Sequence, residues 1–298
     1  MSRKIFQICL LFAAMVAIAF GVSWIFSKPP VPPSLKPLPS PNGYTLLVNA
    51  GAMVTAPFNE VNRMTQQELR SLVDSRSNSL QLARAGLNLE CQVPLQYSEA
   101  FWSNHIADVK ALRLLSLTIQ AEGRLAELEN RPRDALKSYL DLNRLGLASA
   151  RGGVAADAMI GQSINGLSQE PLQRMLAALD ASSCREVAET LEALDAQGES
   201  WKDISERSEE FRRQVYSSLK YRLTGLLRHG TTGINSKPPE QAFRERLARS
   251  RQLMLAFAAR AYELEHGQKA GSFTDLVPAY LKAIPTDPLT GTNMVFTP

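Results

Sequence analysis

Histidine and cysteine are scarce in this chain, with three of each among 298 residues. That scarcity removes several familiar chemistries at once. The sequence has no Cys-x-x-Cys and no His/Cys cluster, so a zinc site is not expected. It also lacks Gly-x-Ser-x-Gly, His-Glu-x-x-His, the Walker loop and the dinucleotide glycine fingerprint. No cofactor is therefore expected. Charge of one sign is missing too: 33 Lys and Arg face 29 Asp and Glu, for a net +4. The densest basic stretch, Arg244–Arg251, is interrupted by Glu245 and spreads over a helix surface. Nucleic acid is not an expected partner. Strand signals are few. Tyr44–Val48 and Met294–Phe296 read as short extended pieces that could pair, and neither supports a sheet-based domain.

What the chain does have is one long apolar run, Ile5 to Phe26, preceded by Arg3 and Lys4. At ~1.5 Å per helical residue it reaches ~33 Å, enough for a hydrocarbon core of ~30 Å. Only Gln7 and Ser23 interrupt it, near its ends, and Trp24 and Phe26 suit the interface. A cleaved signal peptide is the competing reading, with Ile5–Val16 as its apolar region and Ala17-Ile18-Ala19 as the cleavage site. The run continues through Val22 and Ile25, which favours an uncleaved anchor. A lipoprotein signal does not fit, because Cys9 lies too near the start. The basic residues before the run place the N-terminus in the cytoplasm and the bulk outside, on the periplasmic side. Behind the run, Pro29, Pro30, Pro32, Pro33, Pro37, Pro39 and Pro41 make an extended spacer. The expected organisation is a membrane anchor over 1–27, a proline-rich linker over 28–43, a helical domain over 44–233, and a long helix with an irregular tail over 234–298. The lipid bilayer is the expected partner of residues 5–26, alongside a protein partner whose identity stays open.

The rest reads as all-α. Thr65-Gln66-Gln67-Glu68 is a capping-box pattern that opens a helix through Leu69, Leu72, Val73, Leu80 and Leu87. A second helix from about Ser98 carries Phe101, Trp102, His105, Val109, Leu112 and Leu115 to Glu129, and Asn130-Arg131-Pro132 makes a corner. Ala135, Leu136, Tyr139, Leu142 and Leu145 share a face of the next helix, which Gly152-Gly153 interrupts. A segment with Ala155, Ile160, Ile164 and Leu167 follows, and Ser168 or Gln169 starts a further helix with Leu172, Met175, Leu176 and Leu179. Ser183 and Glu186 form another capping pattern ahead of Val187, Leu191 and Leu194. Trp201 to Leu226 spaces its apolar residues as a long helix, with an exit at His229–Gly233. The last helix carries Phe243, Leu247, Met254, Phe257, Ala261 and Leu264 and ends at Gly267.

Few residues invite a chemical role. Cys91 and Cys184 are either a disulfide in an oxidising compartment or two buried thiols. Arg151, beside Gly152-Gly153, is the candidate anion site, against the plainer role of satisfying helix-end carbonyls. His105 lies on an apolar face and reads as a packed, hydrogen-bonded core histidine. His229 and His266 suit helix C-termini. Glu122 and Glu127, with Arg124, read as a solvated helix face. No residue is assigned a catalytic role.

Residues 116–149 resemble one tetratricopeptide-type hairpin, with Gly123, Ala135 and Tyr139 at that repeat's packing positions. Glu122 departs from its pattern and no second copy follows, so the likeness is one of packing. A broader, ordered set runs through Pro41-Asn42-Gly43-Tyr44, Cys91-Gln92-Val93-Pro94, Arg151-Gly152-Gly153, Cys184-Arg185, Tyr262–Gly267, Leu276-Val277-Pro278, Tyr280-Leu281, Ile284-Pro285 and Asp287-Pro288. It resembles a family of membrane-anchored bacterial proteins of uncharacterised activity, which implies an exported helical protein and no catalytic residues. The tail Asp287–Gly291 is similar to the end of type II secretion pseudopilins, but Leu289 stands where they carry Trp, and no prepilin cleavage site precedes the apolar run. The expected function is a non-catalytic interaction or scaffold role in the cell envelope. The alternatives are an envelope hydrolase and a pseudopilin-like secretion subunit.

Overall fold

The computed structural model describes residues 12–19, 21, 23, 34–54, 61–215 and 238–295. Most of the expected anchor lies outside these residues, as do Pro29–Pro33, Leu219, Leu226, His229–Gly233 and Phe296. Of the apolar run, residues 12–19, 21 and 23 are helical. Among the described residues no helix is long and apolar enough to cross a membrane.

The architecture is all-α. Among the described residues there is no strand, only an isolated bridge between Thr286 and Asn293. The helices are α1 (Gly43–Ala52), α2 (Gln66–Ser75), α3 (Ser77–Leu87), α4 (Glu99–Leu128), α5 (Pro132–Ala150), α6 (Ala155–Met175), α7 (Ala181–Ala196), α8 (Trp201–Val215) and α9 (Pro239–His266).

Tyr44–Val48 is the clearest correction: it belongs to helix α1. Gly43, Tyr44, Leu47, Ala50 and Gly51 are its buried residues, a helical spacing. Asn42 caps the helix, its Oδ1 accepting from Tyr44 N at 3.1 Å. The Thr65–Glu68 capping box forms, with Thr65 N donating to Glu68 Oε2 at 2.7 Å. That helix does not reach Leu87 unbroken, because Arg76, at φ −116° and ψ 15°, separates α2 from α3. Ser98 caps α4, accepting from Phe101 N at 3.1 Å. Asn130, at φ 55°, then turns the chain into Pro132, which opens α5.

The α4–α5 hairpin packs Gly123 beneath the ring of Tyr139. A Cβ on Gly123 would stand 2.7 Å from that ring. Helices α5 and α6 cross more closely still, since a Cβ on Gly161 would lie 2.3 Å from Gly146 O. No new helix begins at Ser168 or Gln169. Helix α6 runs through with Pro171 inside it, and Ser168 is buried at the α5 contact, accepting from Asn143 Nδ2 at 2.8 Å. The cap of α7 is Asp180, which accepts from Ser183 N at 2.7 Å, not Ser183 itself.

Helices α1, α3, α4, α5, α6, α7, α8 and α9 contribute to one apolar core. Tyr44, Leu115, Tyr139, Leu172, Cys184, Phe211 and Phe257 all belong to it. Helix α9 lies along α7 and α6 and ends on Gly267 at φ 70°. The tail closes over that pair, burying Leu276, Tyr280, Leu281 and Met294 in the same core. Met294 is therefore a packing residue and not part of a strand.

Candidate functional site

Three connections that are far apart in sequence meet at one end of the bundle. They are Pro41-Asn42-Gly43-Tyr44, Cys91-Gln92-Val93-Pro94 and Arg151-Gly152-Gly153. Asn42 joins the first two, donating from Nδ2 to Gln92 O at 2.8 Å and accepting from Gln92 N at 3.1 Å. Gly43 N donates to Glu90 O at 2.9 Å, and Val93 N to Arg151 O at 2.9 Å. The third connection is tied to α8. Glu199 Oε2 accepts from Gly152 N at 2.9 Å and from Arg207 at 2.7 Å, while Arg207 Nε donates to Gly153 O at 2.6 Å.

Beneath this junction lies a buried polar group. Asp157, the third residue of α6, uses one oxygen to accept from Val154 N at 2.8 Å. Its other oxygen stands 2.5 Å from Nε2 of His105 on α4. Both side chains are 1% exposed. The ring of His105 stacks on Phe101 with centroids 4.8 Å apart, and its Nδ1 lies 3.8 Å from Asp108 Oδ2. Tyr44 is 1% exposed, and its hydroxyl has no hydrogen-bond partner among the described residues. Burial, then the carboxylates of Asp108 and Asp157, push the Tyr44 phenol far above its ordinary range. Burial also raises the Asp108 carboxyl, against the opposing pull of His105.

A carboxylate that orients an imidazole is one half of general-base machinery. Here the imidazole is closed in: His105 is 2% exposed, and its second nitrogen is buried without a hydrogen-bond partner among the described residues, 3.8 Å from the part-exposed Asp108. The arrangement positions α4 against α6, as expected of a packed, hydrogen-bonded histidine.

Beside the junction opens a cavity of about 550 Å³ between α5, α6, α7, α8 and α9. Arg151, Asp195 and Glu199 line it, as do Arg244, Arg251 and Lys202. Asp195 is held by Arg251, whose Nε lies 3.1 Å from each of its oxygens. Arg151 pairs with Glu90 at 3.3 Å and keeps part of its surface open. The candidate anion residue thus lies at a cavity edge, with one carboxylate partner already.

Cys91 and Cys184 are both buried and free, so no bond joins them. Cys91 packs its sulfur against Gly43 and stands 3.6 Å from Gly86 O, between α1 and α3. Cys184 sits in the core on α7. Burial pushes each thiol up to about 11. His266 stacks on Tyr262 in the last turn of α9, with centroids 4.2 Å apart. Glu122 and Glu127 do not form a solvated face. Glu122 accepts from Arg84 at 2.5 Å and Ser138 at 2.8 Å, and Glu127 accepts from Tyr139 and, at 3.0 Å, from Arg124. Among the described residues no group of three or more His, Cys, Asp or Glu is placed to hold a metal ion.

Sequence reasoning missed Asp157, Tyr44 and Asp108 as neighbours of His105, and Asp195–Arg251 as a cavity wall. An acid in the first turn of α6 was the one signal available for Asp157. Fold and site together define an all-α protein with a buried polar junction and an interhelical cavity. Compared with protein-family models, curated proteins and solved structures, the chain matches none.

Proposed function

We propose that the chain is a membrane-tethered helical protein that works by binding, in an interaction or scaffold role in the cell envelope. The observation that carries this reading is how the chemically capable residues are used. His105 and Asp157 are sealed between α4 and α6, Asn42 and Arg207 hold connections together, and the open cavity beside them has largely apolar walls. The tether rests on Ile5–Phe26 with its flanking Arg3 and Lys4. In its helical part, Phe12, Met15, Val16 and Ile18 are 50–65% exposed, a helix surface that is apolar all round. The proline-rich residues 28–40 then act as the spacer, since Asn42 and Gly43 already belong to the folded body. Crosslinking in intact envelopes followed by pull-down is expected to recover one stable protein partner. Repeated recovery of the chain alone overturns the reading.

One observation favours a second reading, an envelope hydrolase: Arg151, Asp195 and Glu199 line the same cavity. Both carboxylates are engaged by arginines, which suits binding better than proton transfer. If this second reading holds, Asp195→Asn and Glu199→Gln abolish a hydrolytic activity of the purified chain while circular dichroism shows the helical fold retained.

A further inference from the structure

The walls and the mouth of the 550 Å³ cavity differ in chemistry. Its volume falls within the ~300–1,000 Å³ usual for small-molecule sites. Leu147, Leu191, Leu194, Trp201, Phe243 and Leu247, from α5, α7, α8 and α9, give it a long apolar wall. Its charged lining is four cations, Arg151, Lys202, Arg244 and Arg251, against Asp195 and Glu199. Those two acids are already neutralised by Arg251 and Arg207.

Lys202 and Arg244 are placed differently. The Lys202 side chain is 81% exposed and stands 4.0 Å from Glu206. Arg244 and its partner Glu240 are each 44% exposed. Pairs so open to water are worth only ~0.2–1 kcal/mol, so Lys202 is free to turn toward an anion. Arg244, which also donates from Nη1 to Pro288 O at 3.2 Å on the cavity lining, offers its remaining N–H donors there. Deeper in, Asn165 lines the cavity, and its Oδ1 is buried without a hydrogen-bond partner among the described residues.

We infer that this cavity binds a single-chain anionic amphiphile, its hydrocarbon chain along the apolar wall and its carboxylate or phosphate head at Lys202 and Arg244. A hydrophilic anion leaves the wall wet, a neutral hydrocarbon leaves the cations unused, and a cationic amphiphile meets like charge. The inference goes beyond the proposed scaffold role and does not depend on a protein partner.

The test uses the full chain in nanodiscs of phosphatidylcholine and a diazirine-bearing palmitate. After photolysis, crosslinks are expected on peptides that contain Leu191–Leu194 and Phe243–Leu247. Palmitate and hexadecyl phosphate are expected to compete, the stronger of them identifying the head group, with hexadecanol about tenfold weaker. The double variant Lys202→Glu, Arg244→Glu changes exposed residues and is expected to unfold like the parent while losing about tenfold in affinity. Unsaturable labelling, equal competition by hexadecanol, or an affinity unchanged by the double variant overturns the inference. None of these outcomes depends on whether pull-down finds a protein partner.

Discussion

Asp157 satisfies two needs with one carboxylate, capping the first turn of α6 and holding the buried imidazole of His105. Removing it leaves a buried ring nitrogen and a backbone N–H without their acceptor. Asp157→Ala is expected to cost ~1–3 kcal/mol for each buried group left without its acceptor. Asp157→Asn keeps an acceptor for Val154 N and is expected to lose less. Urea unfolding of the two variants checks the order. Tight packing makes a second prediction at this scale. Gly123→Ala puts a methyl 2.7 Å from the Tyr139 ring and is expected to cost ~1–3 kcal/mol by overpacking. The cysteines give a third. With both thiols buried and raised to about 11, Cys91 and Cys184 are expected to resist alkylation at neutral pH until the chain unfolds. Reduction is expected to leave the melting temperature unchanged; a drop on adding dithiothreitol counts against free thiols.

At the scale of elements, the tail is held to α7 and α9 by a compact set of contacts. Arg185 lies over the ring of Tyr280 at 4.2 Å, donates to Ala279 O at 2.6 Å and pairs with Glu265 at 2.8 Å. Tyr280 donates to the same carboxylate at 2.5 Å. Hydrogen bonds from Tyr280 and Arg185 hold the Glu265 carboxyl below its ordinary value of 4.5. A depressed carboxyl contributes stability that is present above the unfolded value and is lost as pH falls through the folded one. Hydrogen exchange over residues 268–295 is therefore expected to be flat from pH 7 to about 4.5, once the intrinsic rate is divided out, and to rise below that. Arg185→Ala is expected to raise local exchange already at pH 7. Equal protection in the two proteins at pH 7 removes the clamp.

The legibility of the sequence also divides at this scale. Thr65–Glu68, Ser98, Asn130-Arg131-Pro132 and Gly267 mark element ends through their own side chains or backbone, and a linear reading finds them. Tyr44–Val48 is composed like a strand, and only Asn42, fixed to Gln92 fifty residues away, shows why it is a helix. A new helix start at Ser168 or Gln169 is the local reading, yet α6 continues through Pro171 with Ser168 and Leu172 buried against their neighbours. The polar junction was legible as three separate motifs, but their meeting depends on tertiary contacts that no local pattern encodes.

For the whole molecule, the question is how the apolar N-terminal run relates to the folded body. The described core begins at Tyr44, and its clusters are built from residues of α1 through the tail. Phe12, Met15, Val16 and Ile18 keep half or more of their surface exposed, so their apolar area is available to another solvent. Under the proposed tether, lipid would be that medium, on the ground of the flanking charges and the length of Ile5–Phe26. If the run is an anchor, its deletion removes membrane attachment and leaves the core intact. The full chain is expected to stay with the membrane pellet through alkaline carbonate, whereas a chain lacking residues 1–27 is released. The unfolding free energy of the body is expected to change by no more than ~0.5 kcal/mol, as for changes away from packed contacts. Carbonate release of the full chain removes the anchor. A large loss of stability on truncation would instead mean that the run packs against the body, and the proline-rich spacer would then have to be read as part of the fold.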